Sequence, residues 1–198
     1  MIGMARYPDG YFDLAIVDPP YGINKDGQKK TTGGHGGRKA HTIKGWDKAR
    51  PSEEYFKELF RVSKNQVIWG ANYYPEYLRG TMGWLFWDKG QTINQSDGEL
   101  AFTSFNCAFR RVVINRVELL KEGTIHPTQK PIKLYKYVLK NYAKPGMKII
   151  DTHLGSGSNR IACWDFGCDF YGWEIDKEYY EKQDERFRRH KQQLVMAF

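Results

Sequence analysis

A short run that joins an acid to two prolines and a tyrosine carries the most specific chemistry in this 198-residue sequence. The run is Asp18-Pro19-Pro20-Tyr21-Gly22, directly after the apolar stretch 12–17. An amino group conjugated to an aromatic ring is a poor nucleophile, because its lone pair is delocalised. The Asp18 carboxylate and the Pro19 carbonyl, which no strand ladder claims, could accept its two hydrogens and free that lone pair. Tyr21 offers a stacking surface. Taken alone, the run is equally well a solvated acid at a strand-ending turn.

A glycine-rich turn between a predicted strand and a predicted helix is the second candidate site. It comprises Asp151-Thr152-His153-Leu154-Gly155-Ser156-Gly157-Ser158. Glycines let the backbone approach a ligand at a helix N-terminus. Glu174, at the end of the next strand, is placed to accept hydrogen bonds from ribose hydroxyl groups. Because Asp151 would repel a pyrophosphate but tolerates a sulfonium and an ammonium, the pattern favours S-adenosylmethionine over NAD.

The third candidate is His126-Pro127-Thr128-Gln129-Lys130-Pro131, at the start of a predicted helix. Polar donors there, with the helix N-terminus behind them, form an anion site. Such a site could hold the carboxylate of the cofactor. As a bare helix start it would carry little meaning.

The positive charge is concentrated in one segment. The formal net charge is +8, and residues 23–50 hold eight lysines or arginines against two aspartates, together with six glycines. Such a segment has no apolar face to bury, so it is predicted to be a mobile loop. A basic loop beside the Pro-Pro turn favours contact with the phosphates of a nucleic acid. The residues predicted to make these contacts are Lys29, Lys30, Arg38, Lys39 and Lys44.

Length and composition narrow the class of protein. The chain is long enough for one domain, residues 1–198, and too short for two. No apolar run approaches the roughly 20 residues of a membrane helix. The three cysteines, Cys107, Cys163 and Cys168, form no Cys-x-x-Cys pair, which argues against a disulfide framework or a zinc site and for a reducing compartment. We therefore expect a cytoplasmic protein, without a membrane partner or a bound metal.

Alternating strand and helix patterns position these motifs. Strands are predicted at 12–17, 66–69, 84–87, 100–103, 111–114, 148–151 and 169–174. Helices are predicted from 51 to about 62 and at 131–143, 158–166 and 176–195. This alternation predicts an α/β fold, an open and mostly parallel sheet with helices on both faces. Because ligands bind at the carboxyl ends of such strands, Asp18, Gly70, Asp151 and Glu174 should converge on one rim.

Together and in this order, the motifs resemble the beta class of amino DNA methyltransferases, which methylate adenine N6 or cytosine N4. In that family the Asp-Pro-Pro-Tyr motif precedes the cofactor-binding half. The small size is similar to that of compact members from bacteriophages and prophages. The matching segments are Asp18–Gly22, Gly70-Ala71-Asn72-Tyr73, Trp87-Asp88-Lys89, His126–Pro131, Asp151–Ser158 and Glu174.

The resemblance implies a class I S-adenosylmethionine-dependent methyltransferase fold, base flipping, and a role for each matching residue. The catalytic residues would be Asp18, Pro19, Pro20 and Tyr21. The cofactor, which leaves as S-adenosylhomocysteine, would be bound by Thr128, Lys130, Asp151, Gly155, Ser156, Gly157 and Glu174. Target recognition would fall to a small insertion at 90–122 and to the basic loop.

The function that the resemblance implies is site-specific methylation of adenine N6 in double-stranded DNA, as in restriction–modification. An Asp at the start of the motif is more typical of the adenine enzymes than of the cytosine ones. A cytosine-N4 enzyme and a non-catalytic, methyltransferase-like DNA-binding subunit remain alternatives, and RNA or a protein amide is a weaker alternative acceptor. The sequence does not decide whether the protein forms a homodimer.

The sequence departs from the family at one point. Members begin with a short strand ending in an acid, just before the residues that align with 1–8, and this strand helps to hold the adenine of the cofactor. The sheet is therefore expected to lack one strand. Either the chain is a truncated form, or it binds the cofactor with one wall missing, or another subunit supplies that wall. We therefore expect the chain to bind the cofactor more weakly than a full-length relative does.

Overall fold

Seven strands form one mixed sheet in the computed structural model, which describes residues 2–27, 40–90, 96–115 and 117–195. The strands are β1 (Phe12–Val17), β2 (Ser63–Trp69), β3 (Trp84–Asp88), β4 (Gly98–Thr103), β5 (Arg110–Val113), β6 (Lys148–Asp151) and β7 (Asp169–Gly172). Their order is β5-β3-β4-β2-β1-β6-β7. Strand β4 runs antiparallel to both of its neighbours, and every other pair is parallel. The predicted, mostly parallel sheet is confirmed.

Helices cover both faces of this sheet, as the sequence predicts. They are α1 (Glu53–Val62), α2 (Val117–Glu122), α3 (Ile132–Tyr142), α4 (Ser158–Phe166) and α5 (Lys177–Val195). Side chains alternate along β1 because successive residues of a strand point to opposite faces. Leu14 and Ile16 pack with α3 and α4, whereas Ala15 and Val17 pack with α1. The resulting fold is the class I methyltransferase fold.

The segment 90–122, predicted as a target-recognition insertion, contributes to the central sheet. Strand β4 pairs with both β2 and β3, and β5 pairs with β3. The helix α2, which the sequence pattern does not predict, follows β5. Target recognition by this segment stays a prediction. Its exposed apolar side chains include Val113 on β5 and Phe109 just before that strand, each 56% exposed.

Strand β7 forms one edge of the sheet. Among the residues that the structure describes, it pairs only with β6, so its other side is open. Aromatic rings pack beside this edge: Tyr171 lies 5.9 Å from both Tyr7 and Tyr11, measured between ring centroids. No described helix is long and apolar enough to cross a membrane.

A buried amide joins the carboxyl ends of the neighbouring strands β1 and β6 to α4. Nδ2 of Asn159 donates to the carbonyl of Ile16 and to Oδ2 of Asp151, each at 3.0 Å. Replacement by leucine would leave both acceptors buried without this donor. A buried acceptor that loses its partner costs about 1–3 kcal/mol.

We therefore predict that Asn159→Leu lowers the free energy of unfolding by about 2 kcal/mol in urea denaturation. The matched control is Asn141→Leu, because Asn141 is exposed and its amide donates only to the Tyr137 carbonyl. An equal loss in both variants would contradict this role of Asn159.

Candidate active site

Four strand ends lie side by side at one rim of the sheet. Strands β2, β1, β6 and β7 are consecutive and parallel, so their carboxyl ends share one edge. Asp18 and Gly70 follow β1 and β2, Asp151 ends β6, and Glu174 lies just beyond β7. The predicted convergence is confirmed. Because β4 is antiparallel, it starts rather than ends at this rim, which brings Glu99 there as well.

A network of charged and hydroxyl groups surrounds the Asp18 carboxylate. The hydroxyl of Tyr21 donates to Oδ1 of Asp18 at 2.7 Å, and the ammonium of Lys130 donates to Oδ2 at 2.5 Å. Lys130 also lies 2.9 Å from Oε2 of Glu99, which is 3.2 Å from the Tyr21 hydroxyl. Asp18 and Glu99 thus share one buried ammonium. Glu99 belongs to no recognisable motif, so it is not predicted from the sequence.

The charges of this cluster stabilise one another. Burial raises the pKa of Asp18, and the neighbouring ammonium of Lys130 opposes that shift. Burial would likewise raise the pKa of Glu99, but Lys130 and Lys89 lower it to about 2. Burial lowers the pKa of Lys130, yet the two carboxylates outweigh burial and raise that pKa above its ordinary value. At neutral pH Glu99 is therefore an anion and Lys130 a cation.

The carbonyl of Pro19, predicted to accept a substrate hydrogen, already has one partner. The hydroxyl of Tyr74, a fully buried residue, donates to it at 3.0 Å. A carbonyl oxygen has two lone pairs, so one remains available. Acceptance of a substrate amino hydrogen by the second lone pair of this carbonyl stays a prediction.

The ring of Tyr21 is held by the segment that follows β2. Tyr73 stacks on it, with ring centroids 4.6 Å apart and an interplanar angle of 14°. Gly70 lies against the same ring at φ +68°, and a Cβ built there would overlap the ring. Glycine meets both requirements, the left-handed backbone and the close approach.

The glycine turn after β6 forms the second half of the rim. Gly155 and Gly157 adopt φ angles of +50° and +70°. The backbone N–H of Gly155 donates to Oε2 of Glu174 at 2.8 Å, so the predicted ribose ligand contacts the predicted methionine-binding turn. Burial raises the pKa of Asp151 to about 7, although Asn159 donates to its carboxyl group. A cation placed beside Asp151 would reverse that shift, which fits a positively charged ligand.

An arginine of α5 connects the glycine turn to the segment before α3 by hydrogen bonds. Nη1 of Arg186 donates to the Ser156 carbonyl and to Oγ of Ser158, each at 2.9 Å, and Nη2 donates to Glu122 at 2.9 Å. The other oxygen of Glu122 accepts from the backbone N–H of Ile132, where α3 starts. Nothing in the sequence distinguishes Arg186 from the other charges of α5, so this link is not predicted from the sequence.

The segment predicted to bind the cofactor carboxylate is divided in the structure. Thr128 is exposed, and its hydroxyl lies 3.2 Å from Nδ1 of His126. Lys130 instead points into the Asp18 cluster and is only 3% exposed. Two carboxylates of the protein already neutralise its ammonium, and its role in binding the cofactor carboxylate stays a prediction. Burial lowers the pKa of His126 to about 3, so that ring is neutral.

The predicted mobile loop has anchored ends. Asp47, 2% exposed, accepts from the backbone N–H groups of Gly22 and Lys25 at 2.8 and 2.7 Å. Asp26, 3% exposed, accepts from the backbone N–H groups of Lys44 and Gly45. The predicted phosphate contacts Lys29, Lys30, Arg38 and Lys39 lie outside the described residues.

Lys44 is the one predicted phosphate contact in the described part of the chain, and it has partners within the protein. Its ammonium lies 2.7 Å from Asp176 and 2.6 Å from Glu178, near the start of α5. A DNA contact by Lys44 would require these ion pairs to break. Nearby, the ring of Trp46 packs against the ring of His126, with the ring centroids 5.2 Å apart. This end of the loop therefore contacts the segment before α3.

Comparison with known proteins agrees with this geometry. Residues 108–185 match the family model described as DNA methylase, of the N6/N4 type. The chain is 26% identical over 160 residues to the type II methyltransferase M.BglII of Bacillus subtilis, covering 81% of this chain and 37% of that protein. It is 25% identical over 220 residues to the type II methyltransferase M.HpaI of Haemophilus parainfluenzae. That match covers 88% of this chain and 67% of M.HpaI. The chain thus spans little more than a third of the first relative and about two thirds of the second.

Solved structures share the fold. The complex of M1.HpyAVI with SAM has a TM-score of 0.61 and 18% identity, covering 93% of this chain and 91% of that one. A Thermus thermophilus protein described as a DNA modification methylase, complexed with S-adenosyl-L-methionine, has a TM-score of 0.59 and 14% identity, covering 96% and 90%. The cytosine-N4-specific PvuII DNA methyltransferase has a TM-score of 0.59 and 12% identity, and the match covers 94% of this chain and 88% of that one.

The fold is that of the class I methyltransferases. Within that fold, residues 108–185 match the DNA methylase family model of the N6/N4 type, and the chain as a whole is similar to type II DNA methyltransferases.

Gly70→Ala is predicted to destabilise the protein, because its Cβ would overlap the Tyr21 ring in a left-handed backbone. The backbone strain alone costs about 1–2 kcal/mol. Thermal unfolding should show a Tm lowered by several degrees. Gly80→Ala is the matched control, since a Cβ there meets nothing within 4 Å, and its Tm should not fall. Equal Tm values for the two variants would contradict the packing of Gly70 on Tyr21.

Asp151 should make stability depend on pH. Its pKa in the folded protein, about 7, lies above its ordinary value of 3.8. The native state therefore holds a proton that the unfolded chain releases, so this stability is present below about pH 4 and lost as pH rises through 7. Asn cannot lose such a proton. Relative to Asp151→Asn, the wild type should lose about 1–4 kcal/mol between pH 4 and 8 in urea unfolding without ligand. Parallel pH profiles would refute the raised pKa.

Proposed function

We propose that this chain transfers a methyl group from S-adenosylmethionine to the exocyclic amino nitrogen of a base in double-stranded DNA, with adenine N6 as the preferred acceptor. The observation that carries the proposal is the Asp18 carboxylate, which lies half-buried on the same rim as the glycine turn and is fixed by Tyr21 and Lys130. We extend the proposal to a role in restriction–modification, in the cytoplasm of a bacterial or phage-infected cell.

The residues of the rim fit the cofactor. S-adenosylmethionine supplies a methyl group on a positively charged sulfur. Asp151, whose pKa of about 7 marks a buried acid without a cationic partner among the described residues, would hold the methionine end together with the turn at Gly155–Gly157. Glu174 would hold the ribose. The similar chains solved with this cofactor support the assignment.

The side chains around Asp18 would activate the amino group. Asp18 accepts one of its hydrogens, and the free lone pair of the Pro19 carbonyl accepts the other, which turns the nitrogen lone pair toward the methyl donor. The nitrogen must lose one proton when its bond to carbon forms, and Asp18 is placed to take that proton. Holding the nitrogen in this orientation supplies much of the rate enhancement. The ring of Tyr21, backed by Tyr73, gives the flipped base a stacking surface.

Cytosine N4 is the second candidate acceptor. It shares the amino group and the adjacent ring nitrogen, and a cytosine-N4-specific enzyme has the same fold. The Asp at the start of the motif supports adenine. The net charge of +8 supports a DNA partner, because each phosphate contacted releases counterions.

The deciding experiment measures transfer of labelled methyl from S-adenosylmethionine to mixed-sequence DNA. Asp18→Asn should lower the rate by at least about 100-fold, since a neutral amide accepts the amino hydrogen weakly and takes no proton. Cofactor affinity should stay within about threefold by calorimetry. Asp13→Asn is the matched control, because Asp13 lies on β1, the strand that Asp18 follows, and pairs with the exposed Lys64.

Nucleoside analysis of the product distinguishes N6-methyladenine from N4-methylcytosine. Substantial transfer by Asp18→Asn would overturn the catalytic assignment. DNA binding by the wild type without any transfer would favour the alternative of a non-catalytic DNA-binding subunit.

A further inference from the structure

In the proposed activation of the amino group, the buried ammonium beside Asp18 serves only to fix this carboxylate and does not itself contact the base. Lys130 is 3% exposed, and its Nζ lies 2.5 Å from Oδ2 of Asp18. The cation keeps the carboxylate ionised, but it also occupies a lone pair of the acceptor and brings further N–H donors to the place where the base would bind. The pair of Asp18 and Lys130 therefore suits a substrate that has a hydrogen-bond acceptor for the Lys130 ammonium as well as a donor for Asp18.

Adenine and cytosine both carry such a group. In each base the carbon that bears the amino group is bonded to a ring nitrogen, N1 of adenine or N3 of cytosine, with a lone pair on the same edge. The edge thus presents a donor next to an acceptor. Asp18 and Lys130 present the complement, an acceptor next to a donor.

The ring nitrogen is also a chemical rival of the amino nitrogen. Its lone pair lies in the ring plane and is not delocalised, so toward a methyl donor it is intrinsically the better nucleophile. An enzyme that methylates the amino group must therefore suppress attack by the ring nitrogen. A hydrogen bond from a cation engages that lone pair and prevents its attack.

We propose that Lys130 donates a hydrogen bond to the ring nitrogen next to the target amino group, and thereby both recognises the base and directs the methyl group to the exocyclic nitrogen. This inference rests on the proposed function and adds the source of its selectivity. It gives Lys130 the substrate, rather than the cofactor carboxylate, as its ligand.

Glu99 and Lys89 keep the ammonium of Lys130 in place. Glu99 lies 2.9 Å from Lys130 and 2.8 Å from Lys89, so it stays paired when a base enters. An ammonium has three donors, and Lys130 keeps the bond to Glu99 while another turns to the base. The carboxylates raise the pKa of Lys130, so the donor remains protonated. Glu99 is a positioning residue.

The sharpest test needs no variant. Wild-type protein is given DNA in which the target adenine is replaced by 1-deazaadenine, which has a C–H in place of N1. If cytosine is the acceptor, 3-deazacytosine is used. The analogue should lower kcat/KM by about 10–100-fold, the effect of leaving a charged donor without its partner. Equal rates on base and analogue would overturn the inference. Absence of transfer to both substrates would instead overturn the proposed function.

Variants then assign the effect to Lys130. Lys130→Met should process base and analogue at similar rates, and the fraction of ring-methylated product should rise at least about tenfold. Digestion at neutral pH is required, because alkali converts N1-methyladenine to N6-methyladenine. Lys133→Met, an exposed site on α3, is the control and should behave as the wild type.

Two further readouts separate base recognition by Lys130 from a role in cofactor binding. The affinity of Lys130→Met for S-adenosylmethionine should stay within about threefold of the wild type by calorimetry. A loss of affinity with unchanged discrimination between base and analogue would show that Lys130 holds the cofactor carboxylate and would refute the inference. Glu99→Gln, which keeps the side-chain shape, should reduce the discrimination without abolishing it. Discrimination unchanged in Glu99→Gln would contradict its positioning role.

Discussion

The buried ion pair between Asp18 and Lys130 is the interaction on which the site depends. It joins residues 112 positions apart, one after the first strand and one just before α3. A carboxylate at this depth without a cation would be strongly unfavourable, and so would the ammonium alone. Glu99 and Lys89 extend the pair to two acids and two bases, so the cluster is neutral as a whole. The pair therefore fixes the segment before α3 against the turn that follows β1.

The two buried acids of the rim differ in what surrounds them. Asp18 has a cation of the protein in contact, whereas Asp151, within the described chain, receives hydrogen bonds only from neutral groups, Asn159 and the His153 backbone. Two carboxylates of one site take different roles when their environments differ. The first environment suits a substrate edge with both a donor and an acceptor. The second suits a ligand that brings its own positive charge, as the cofactor does.

Much of the fold followed from local patterns. The apolar runs and the glycine and proline turns predicted every strand to within a few residues, because such patterns report burial and chain reversal directly. They also placed Asp18 and Asp151 on one rim. Helix α2 was not predicted, and residues 90–122, although predicted to contain two strands, were also expected to form a small target-recognition insertion. Pattern alone does not show that β4 would pair between β2 and β3.

The sequence by itself determined which residues could do chemistry: the acid of the Pro-Pro turn, the glycine turn, and the polar start of α3. Only the tertiary structure decided their partners. Antiparallel β4 brings Glu99 to the rim, Arg186 reaches back from α5, and Lys44 pairs with Asp176 rather than remaining free. The physical reason is that a side chain's partner depends on strand order and on the direction in which it leaves the backbone. Residues a hundred positions apart encode neither in their local spacing.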